Sequence, residues 1–225
     1  MFTIDWHFHS GSLGLTNATF DELADPAPLD EAYPTLGEPV ESFISRYLDS
    51  RETVLILQGA PGTGKTRLVR AILAAISSRK EDSAKVLYTS DKRALESDEL
   101  FVEFITGSHE AFGIEDADHL LTARSNGNVD LHRFLAIADG VVRAQGRKII
   151  FTTNLPNIGD IDDALVRPGR CHAVVRTRSL TPVEALALLA KLTAADATHH
   201  ALVSRLQQHD AHDLTLASLY RQLEI

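Results

Sequence analysis

The sequence predicts an α/β protein: a doubly wound parallel sheet of five strands followed by a small C-terminal helical subdomain. Three observations carry that expectation. Five apolar runs of strand length alternate with segments of helical periodicity, as a parallel sheet covered on both faces requires. The first of these runs empties into a glycine-rich loop that opens a helix. Past residue 178 the strand-like runs stop and only helical patterns follow.

Residues 1–32 form an N-terminal segment, either a unit of its own or a fragment of a larger region. FTIDWHFH alternates like a short strand, and the Gly/Ser/Thr/Asn-rich stretch after it reads as loop. Alternation puts His7 and His9 on one strand face, where they are either metal ligands lacking a visible third partner or exposed histidines. Helical spacing then begins at Val40, Phe43, Ile44 and Leu48. TVLILQ (53–58) is the first strand of the sheet, TRLVRAILAAI (66–76) a helix and KVLYTS (85–90) the second strand. ELFVEFI (99–105) fits a short helix or a strand equally well. AFGIED (111–116) is the third strand and VDLHRFLAIADGVV (129–142) a helix. RKIIFTTN (147–154) and AVVRT (173–177) complete the set.

These elements place an αβα body at 33–178 and a helical subdomain at 179–225. Thr181, Pro182 and Glu184 form a capping-box start for the first of three short helices: TPVEALALLAKL, ATHHALVSRLQQ and LTLASLYRQL. His209 and His212 form an HxxH in a polar stretch that reads as helix-cap residues.

At 225 residues and 24.6 kDa the chain can bury one such domain with its appendage. Residues 1–50 hold nine carboxylates against Arg46 alone, so nearly all of the formal charge of −9 sits there. An acidic front without a basic block disfavours a phosphate-backbone partner. The one cysteine, Cys171, excludes an intrachain disulfide and fits a reducing, cytoplasmic setting. No apolar run approaches the ~20 residues of a membrane span.

GAPGTGKT (59–66) sits between strand and helix, the context a phosphate-binding P-loop needs. In the loop of Gly59, Ala60, Pro61, Gly62, Thr63 and Gly64 the glycines let the available backbone N–H groups turn toward a phosphate. Lys65 adds a point charge for the β- and γ-phosphates, Thr66 a hydroxyl for Mg2+, and the helix N-terminus a favourable potential. A nucleoside triphosphate such as ATP is the expected ligand. The third strand ends in Glu115 and Asp116, the pair of acids that an ATPase uses to hold magnesium and to polarise water, here written Glu-Asp where Asp-Glu is usual. Asp118, close behind, reads as a helix cap or an inter-subunit contact.

KIIFTTNLPNIGDIDDALVRPGRCHAVV (148–175) resembles the second region of homology of AAA+ ATPases, in which a polar sensor ends a strand and a D-x-A-L-x-R-P-G-R segment follows. LHRFLAIADGV resembles the L-x-x-L-L-x-x-x-D-G helix of that family. The BCS-type AAA proteins are similar in particular, since they also write Glu-Asp and pass through a T-T-N strand. The resemblance covers residues 33–178 and implies a P-loop sheet of strand order 5-1-4-3-2, with residues 179–225 as a helical lid. It implies that Glu115 and Thr66 hold Mg2+, that Asp116 polarises the attacking water, and that Asn154 is sensor 1 holding that water with it. Arg167 and Arg170 match arginine fingers, which serve the γ-phosphate of a neighbouring subunit. The implied partner is therefore the chain itself in a homo-oligomeric ring, a hexamer.

Three departures stand out. SDKRALESDEL after the second strand has no aromatic pore residue, Cys171-His172 replaces Phe-Asp, and Arg221 is a sensor 2 candidate by chemistry alone. The leading expectation is an ATP-hydrolysing AAA+ ring that remodels or moves a protein partner. A helicase-loader-like protein and an ATP-gated scaffold with little hydrolysis are the alternatives.

Overall fold

The computed structural model describes residues 2–10, 14–22, 28–80, 84–123, 128, 131–138, 146–192 and 214–222. In chain order these form β1 (Phe2–Ser10), β2 (Gly14–Glu22), α1 (Val40–Asp49), β3 (Val54–Gln58), α2 (Lys65–Arg79) and β4 (Ala84–Thr89). There follow α3 (Lys92–Leu95), α4 (Asp98–Thr106), β5 (Ala111–Ile114), α5 (Asp118–Leu121), α6 (Leu131–Ala138), β6 (Lys148–Thr153) and β7 (Cys171–Arg176). The helices α7 (Pro182–Leu192) and α8 (Leu216–Gln222) close the described chain. The helix expected over ATHHALVSRLQQ, the pair His209 and His212, and the ends of the helix expected over 129–142 lie outside the described residues.

One sheet in the order β2-β1-β4-β5-β6-β3-β7 organises the molecule. β3, which feeds the glycine loop, lies between β6 and β7 and is parallel to both. Its four apolar residues, Val54 to Leu57, have no exposed surface because helices cover both sides. Leu55 and Leu57 face one layer with α1, α2, α7 and α8, while Val54 and Ile56 face the other with α3 to α6. The second layer is built on a ring cluster of Phe101, Phe104, Phe112, Phe134 and Phe151, with centroids 4.7–6.4 Å apart.

The sheet has seven strands, not five. β1 joins the edge by pairing parallel with β4, Phe2 opposite Ala84 through Trp6 opposite Tyr88, and β2 pairs antiparallel with β1 outside it. The stretch read as loop, GLTNATFDE, is therefore a strand. It escapes apolar periodicity because an edge strand with polar, partly exposed side chains is held by backbone pairing. The ambiguous segment 99–105 is helical: Ser97 Oγ accepts from Glu99 N at 3.2 Å, and Leu100, Phe101 and Phe104 bury one stripe.

Candidate active site

The loop after β3 is anchored from both neighbouring strands. Gly59 N donates to Thr153 O on β6 (3.1 Å), and Thr177 N beyond β7 donates to Gln58 O (2.7 Å). Gly59 is obligatory here, since a Cβ would lie 2.3 Å from the Thr177 carbonyl oxygen. Thr63, 1% exposed, pins the loop from beneath through Ala60 O and Thr177 Oγ1, both at 2.7 Å. Gly62 (φ 79°) and Gly64 (φ 93°) take left-handed backbone, which bends the chain around an open cradle. Tyr33 OH donates to Gly64 O at 2.9 Å, bracing the start of α2 from the segment before α1.

Above this cradle lies a cavity of about 450 Å³. Pro61, Gly62, Gly64, Lys65 and Thr66 line it with Glu115, Asp116 and Asn154, and Leu216, Ala217 and Tyr220 close the opposite side. Lys65 is 8% exposed and gives its three ammonium protons to Gly59 O (2.7 Å), Ala60 O (3.1 Å) and Asn154 Oδ1 (2.8 Å). Burial lowers its pKa, against the opposing pull of Asp116, Asp118 and Glu115.

The neighbouring strands β5 and β6 deliver the acids and the amide. Asn154 Nδ2 donates to Asp116 Oδ1 at 3.0 Å, so Lys65, Asn154 and Asp116 form one connected row. Asp116 has φ 51°, the one positive value outside glycine among the described residues, and its N–H donates to Thr152 Oγ1 (3.1 Å). Glu115 Oε2 accepts from Tyr88 OH at 2.8 Å, while its Oε1 is buried with no hydrogen bond. Burial raises the Tyr88 pKa, and the Glu115 carboxylate raises it further, so the phenol stays a donor.

Asp118 is not the helix cap that the sequence suggests as one of two readings: Ala117 holds that position. Asp118 is the first residue of α5, and its Oδ1 accepts from Thr153 Oγ1 (2.5 Å) and Asn154 N (2.8 Å), fixing the turn that carries the Asn154 side chain. The sequence pattern singles out neither this role nor those of Tyr88 and Thr152. Each depends on which strands lie side by side, and only the TTN run hinted at the threonines.

The cavity suits a phosphorylated nucleotide and a divalent ion on chemical grounds. α2 opens on it with no acidic residue in its first turn, leaving the positive helix end uncompensated. The orphaned Glu115 Oε1 and the exposed Thr66 hydroxyl, both at the cavity wall, are hard oxygen donors of the type magnesium takes.

Comparison with known sequences agrees. A model of the ATPase family associated with various cellular activities (AAA) matches residues 55–179. The chain belongs to the AAA family. Among curated relatives, the AAA-ATPase At2g18193 of Arabidopsis thaliana is 26% identical over 224 residues, covering 92% of this chain and 44% of that protein. The mitochondrial AAA-ATPase At3g28570 of Arabidopsis thaliana is 27% identical over 171 residues, 68% of this chain and 37% of that protein. The vesicle-fusing ATPase of Dictyostelium discoideum is 25% identical over 194 residues, 78% of this chain and 25% of that protein. The chain spans less than half the length of each of these relatives.

Two site residues expected for an AAA protein stand apart from the cavity. Arg167 is exposed on the turn before β7, beside a separate depression lined by Asp162, Asp163 and Ala164. Arg170 is half-buried and donates to Ala164 O at 2.5 Å. Neither lines the cavity of its own chain. Arg221 is exposed on α8 and does not line it either; Tyr220 does, with the Arg67 guanidinium 4.3 Å from its ring centre. Cys171 and His172 are packing residues. Burial pushes the Cys171 thiol up to about 12, and the His172 ring lies against Phe43 and Tyr47 while accepting from Arg46 (3.0 Å). No described helix is long and apolar enough to cross a membrane.

Proposed function

We propose that this AAA chain binds ATP with Mg2+ and hydrolyses it, as the motor part of a homo-oligomeric ring, a hexamer, that remodels or moves a protein partner. The carrying observation is the row in which Lys65 meets Asn154 at 2.8 Å and Asn154 meets Asp116 at 3.0 Å, on the rim of a glycine cradle. A phosphate-binding cation, a water-holding amide and a carboxylate base are the parts that phosphoryl transfer to water needs side by side.

In this reading the backbone from Gly59 to Gly64 takes the phosphates, and Lys65 exchanges its loop carbonyls for the β- and γ-oxygens. Thr66 and Glu115 hold Mg2+, which neutralises charge on those oxygens when bound. Asp116 accepts the proton of the attacking water, while Asn154 fixes that water's position. Tyr88 and Asp118 act through Glu115 and Asn154, keeping each aimed. Residues 33–178 are the nucleotide-binding body, with its family strand order 5-1-4-3-2, and 179–225 are the lid. The bond from Ala217 N to Gly62 O (3.0 Å) and the Arg67–Tyr220 pair support that lid role, since they join α8 to the nucleotide loop and to the first turn of α2. Arg167 and Arg170 serve the site of the next subunit. The acidic first 50 residues, and a relative named for vesicle fusion, turn the reading toward a protein partner instead of nucleic acid.

Steady-state phosphate release with a parallel nucleotide-binding assay tests the proposal. Lys65→Ala is expected to lose ATP binding, and Asp116→Asn to bind ATP but turn over at least ~100-fold more slowly. Undiminished turnover by Asp116→Asn removes it as the base. Tight ATP binding with negligible release by the unaltered chain replaces the motor with an ATP-gated scaffold.

A further inference from the structure

On the α4 side of the added strand β1, three metal-ligating side chains converge, and a fourth, His7, stands beside one of them. β1 presents Asp5 and His7 on the same face, α4 presents Glu103 from above, and the turn before β5 presents His109. His109 Nε2 lies 2.8 Å from Asp5 Oδ2 and 3.9 Å from Glu103 Oε1, and His7 Nε2 lies 3.5 Å from the same Glu103 oxygen. The candidate ligand atoms of Asp5, Glu103 and His109 all fall within 4.8 Å of one another.

An ordinary ion-pair cluster leaves part of this arrangement unexplained. His7 is 3% exposed and His109 5% exposed, yet His7 Nε2, aimed at Glu103, makes no hydrogen bond. Burying a polar ring nitrogen without a hydrogen bond is costly, so sequences rarely keep one unless something takes its lone pair or its proton. Two ligands bound at ~2.0–2.2 Å to one tetrahedral ion stand ~3.3–3.6 Å apart, and the three separations above, 2.8, 3.5 and 3.9 Å, bracket that span. Two imidazole nitrogens with two carboxylate oxygens suit zinc and its first-row neighbours better than magnesium or calcium, which take oxygen donors.

We propose that Asp5, Glu103 and His109 form a structural site for a first-row divalent metal, Zn2+ being the reference ion, with His7, beside Glu103, turning in as the fourth ligand. The ion clamps the N-terminal hairpin to α4 and to the start of β5. Its place is telling: β1 and β2 are the two strands added to the expected five, and while Phe2 and Ile4 on one face of β1 pack into the core with α2, this cluster lies on the other face. A metal here ties the addition to the strand whose other end carries Glu115 and Asp116. The site is independent of whether the chain hydrolyses ATP.

The test is Zn2+ titration of the tag-free 225-residue chain, freed of metal by chelation, in excess Mg2+ to occupy oxygen-only sites. A chromophoric chelator competes, and thermal unfolding is followed in parallel. One Zn2+ per chain is expected, with Tm rising with the logarithm of free Zn2+. His7→Gln with His109→Gln should weaken binding more than ~100-fold, beyond the loss of a group that merely orients a ligand, and should abolish the Tm response. Glu103→Gln, at a side chain 38% exposed, should leave the fold intact and weaken binding at least ~10-fold, so the proposal stays testable if the histidine variant fails to fold. Co2+ in place of Zn2+ should show tetrahedral d–d absorption in the wild type, shifted in energy and intensity in Glu103→Gln where one carboxylate ligand is lost. Absence of 1:1 binding overturns the proposal. So does undiminished binding in Glu103→Gln, or loss of binding in His209→Gln/His212→Gln, which places the ion elsewhere.

Discussion

Asp116 sits at φ 51°, a conformation that costs most side chains roughly 1 kcal/mol and that aspartate and asparagine tolerate best after glycine. The left-handed bend turns the shorter acid toward Asn154 while Glu115, one residue earlier, points to Tyr88. The exchanged order of the two acids is thus matched by backbone shape. Writing the pair in the usual order, Glu115→Asp with Asp116→Glu, is expected to slow ATP turnover and to lower stability by about 1 kcal/mol, because glutamate fits neither the bend nor the reach. Turnover equal to or faster than wild type in phosphate-release assays would remove the bend as the accommodating feature. Tyr88 tests the other acid. Tyr88→Phe leaves Glu115 without its donor and should raise the Mg2+ concentration for half-maximal turnover about 10-fold, with Mg-free nucleotide affinity unchanged. The tyrosine has its place because Gly113 opposes it across β4 and β5: a Cβ there would lie 3.2 Å from the ring.

Elements were legible where one physical signal dominates. β3, β5 and β6 read as strands because both faces are covered and every residue must be apolar or paired. The start of α7 was legible residue by residue: Glu184 N donates to Thr181 Oγ1 (3.3 Å), and Glu184 Oε2 accepts from Thr181 N (2.7 Å). β2 was not, since an edge strand needs neither an apolar face nor a periodic one. The partners of His7 were not either, because Glu103 and His109 arrive from far along the chain. At α7 the sequence omits one further contact: Arg178 grips both oxygens of Glu184 at 2.8 Å. That hydrogen-bonded charge pair, chiefly, holds the Glu184 carboxyl at about 2 against an ordinary 4.5. A carboxylate with a lowered folded-state pKa stabilises above the unfolded value and loses that contribution as pH falls through the folded one. Denaturant unfolding of wild type and Glu184→Gln, which keeps the capping box, should therefore differ by a constant amount above pH 4.5 and converge toward pH 2. The pair is solvent-screened, so the gap should stay below ~1 kcal/mol. A gap that ignores pH traces to packing instead of charge.

At the scale of the whole molecule, the cavity brings loop, acids and amide together, and its second lining cation, Arg67, is stacked on Tyr220. Its loop, acids and amide come from β3, β5 and β6, which the sheet sets side by side, and that much follows from motif and strand order. What no single chain reveals is the surface that faces it in an assembly. Arg167 and Arg170 lie on the turn before β7, outside their own cavity, and they are not equivalent. Arg170 is spent partly on Ala164 O within the chain, whereas Arg167 is exposed. In the proposed ring, Arg167→Ala should reduce turnover by about 10³-fold or more with an unchanged Tm, because its guanidinium serves only the neighbour's phosphate. Arg170→Ala should lose turnover and also about 1 kcal/mol of stability with its internal bond. The decisive measurement mixes Arg167→Ala with Asp116→Asn, two chains that are each expected to be strongly impaired alone. An Asp116→Asn subunit keeps its fingers and an Arg167→Ala subunit keeps its cavity, so mixed rings should recover a fraction of wild-type turnover that rises with protein concentration. Recovery requires a finger that crosses a subunit boundary. If mixing restores nothing while the wild-type specific activity stays constant on dilution, each chain completes its own site and Arg167 has another use.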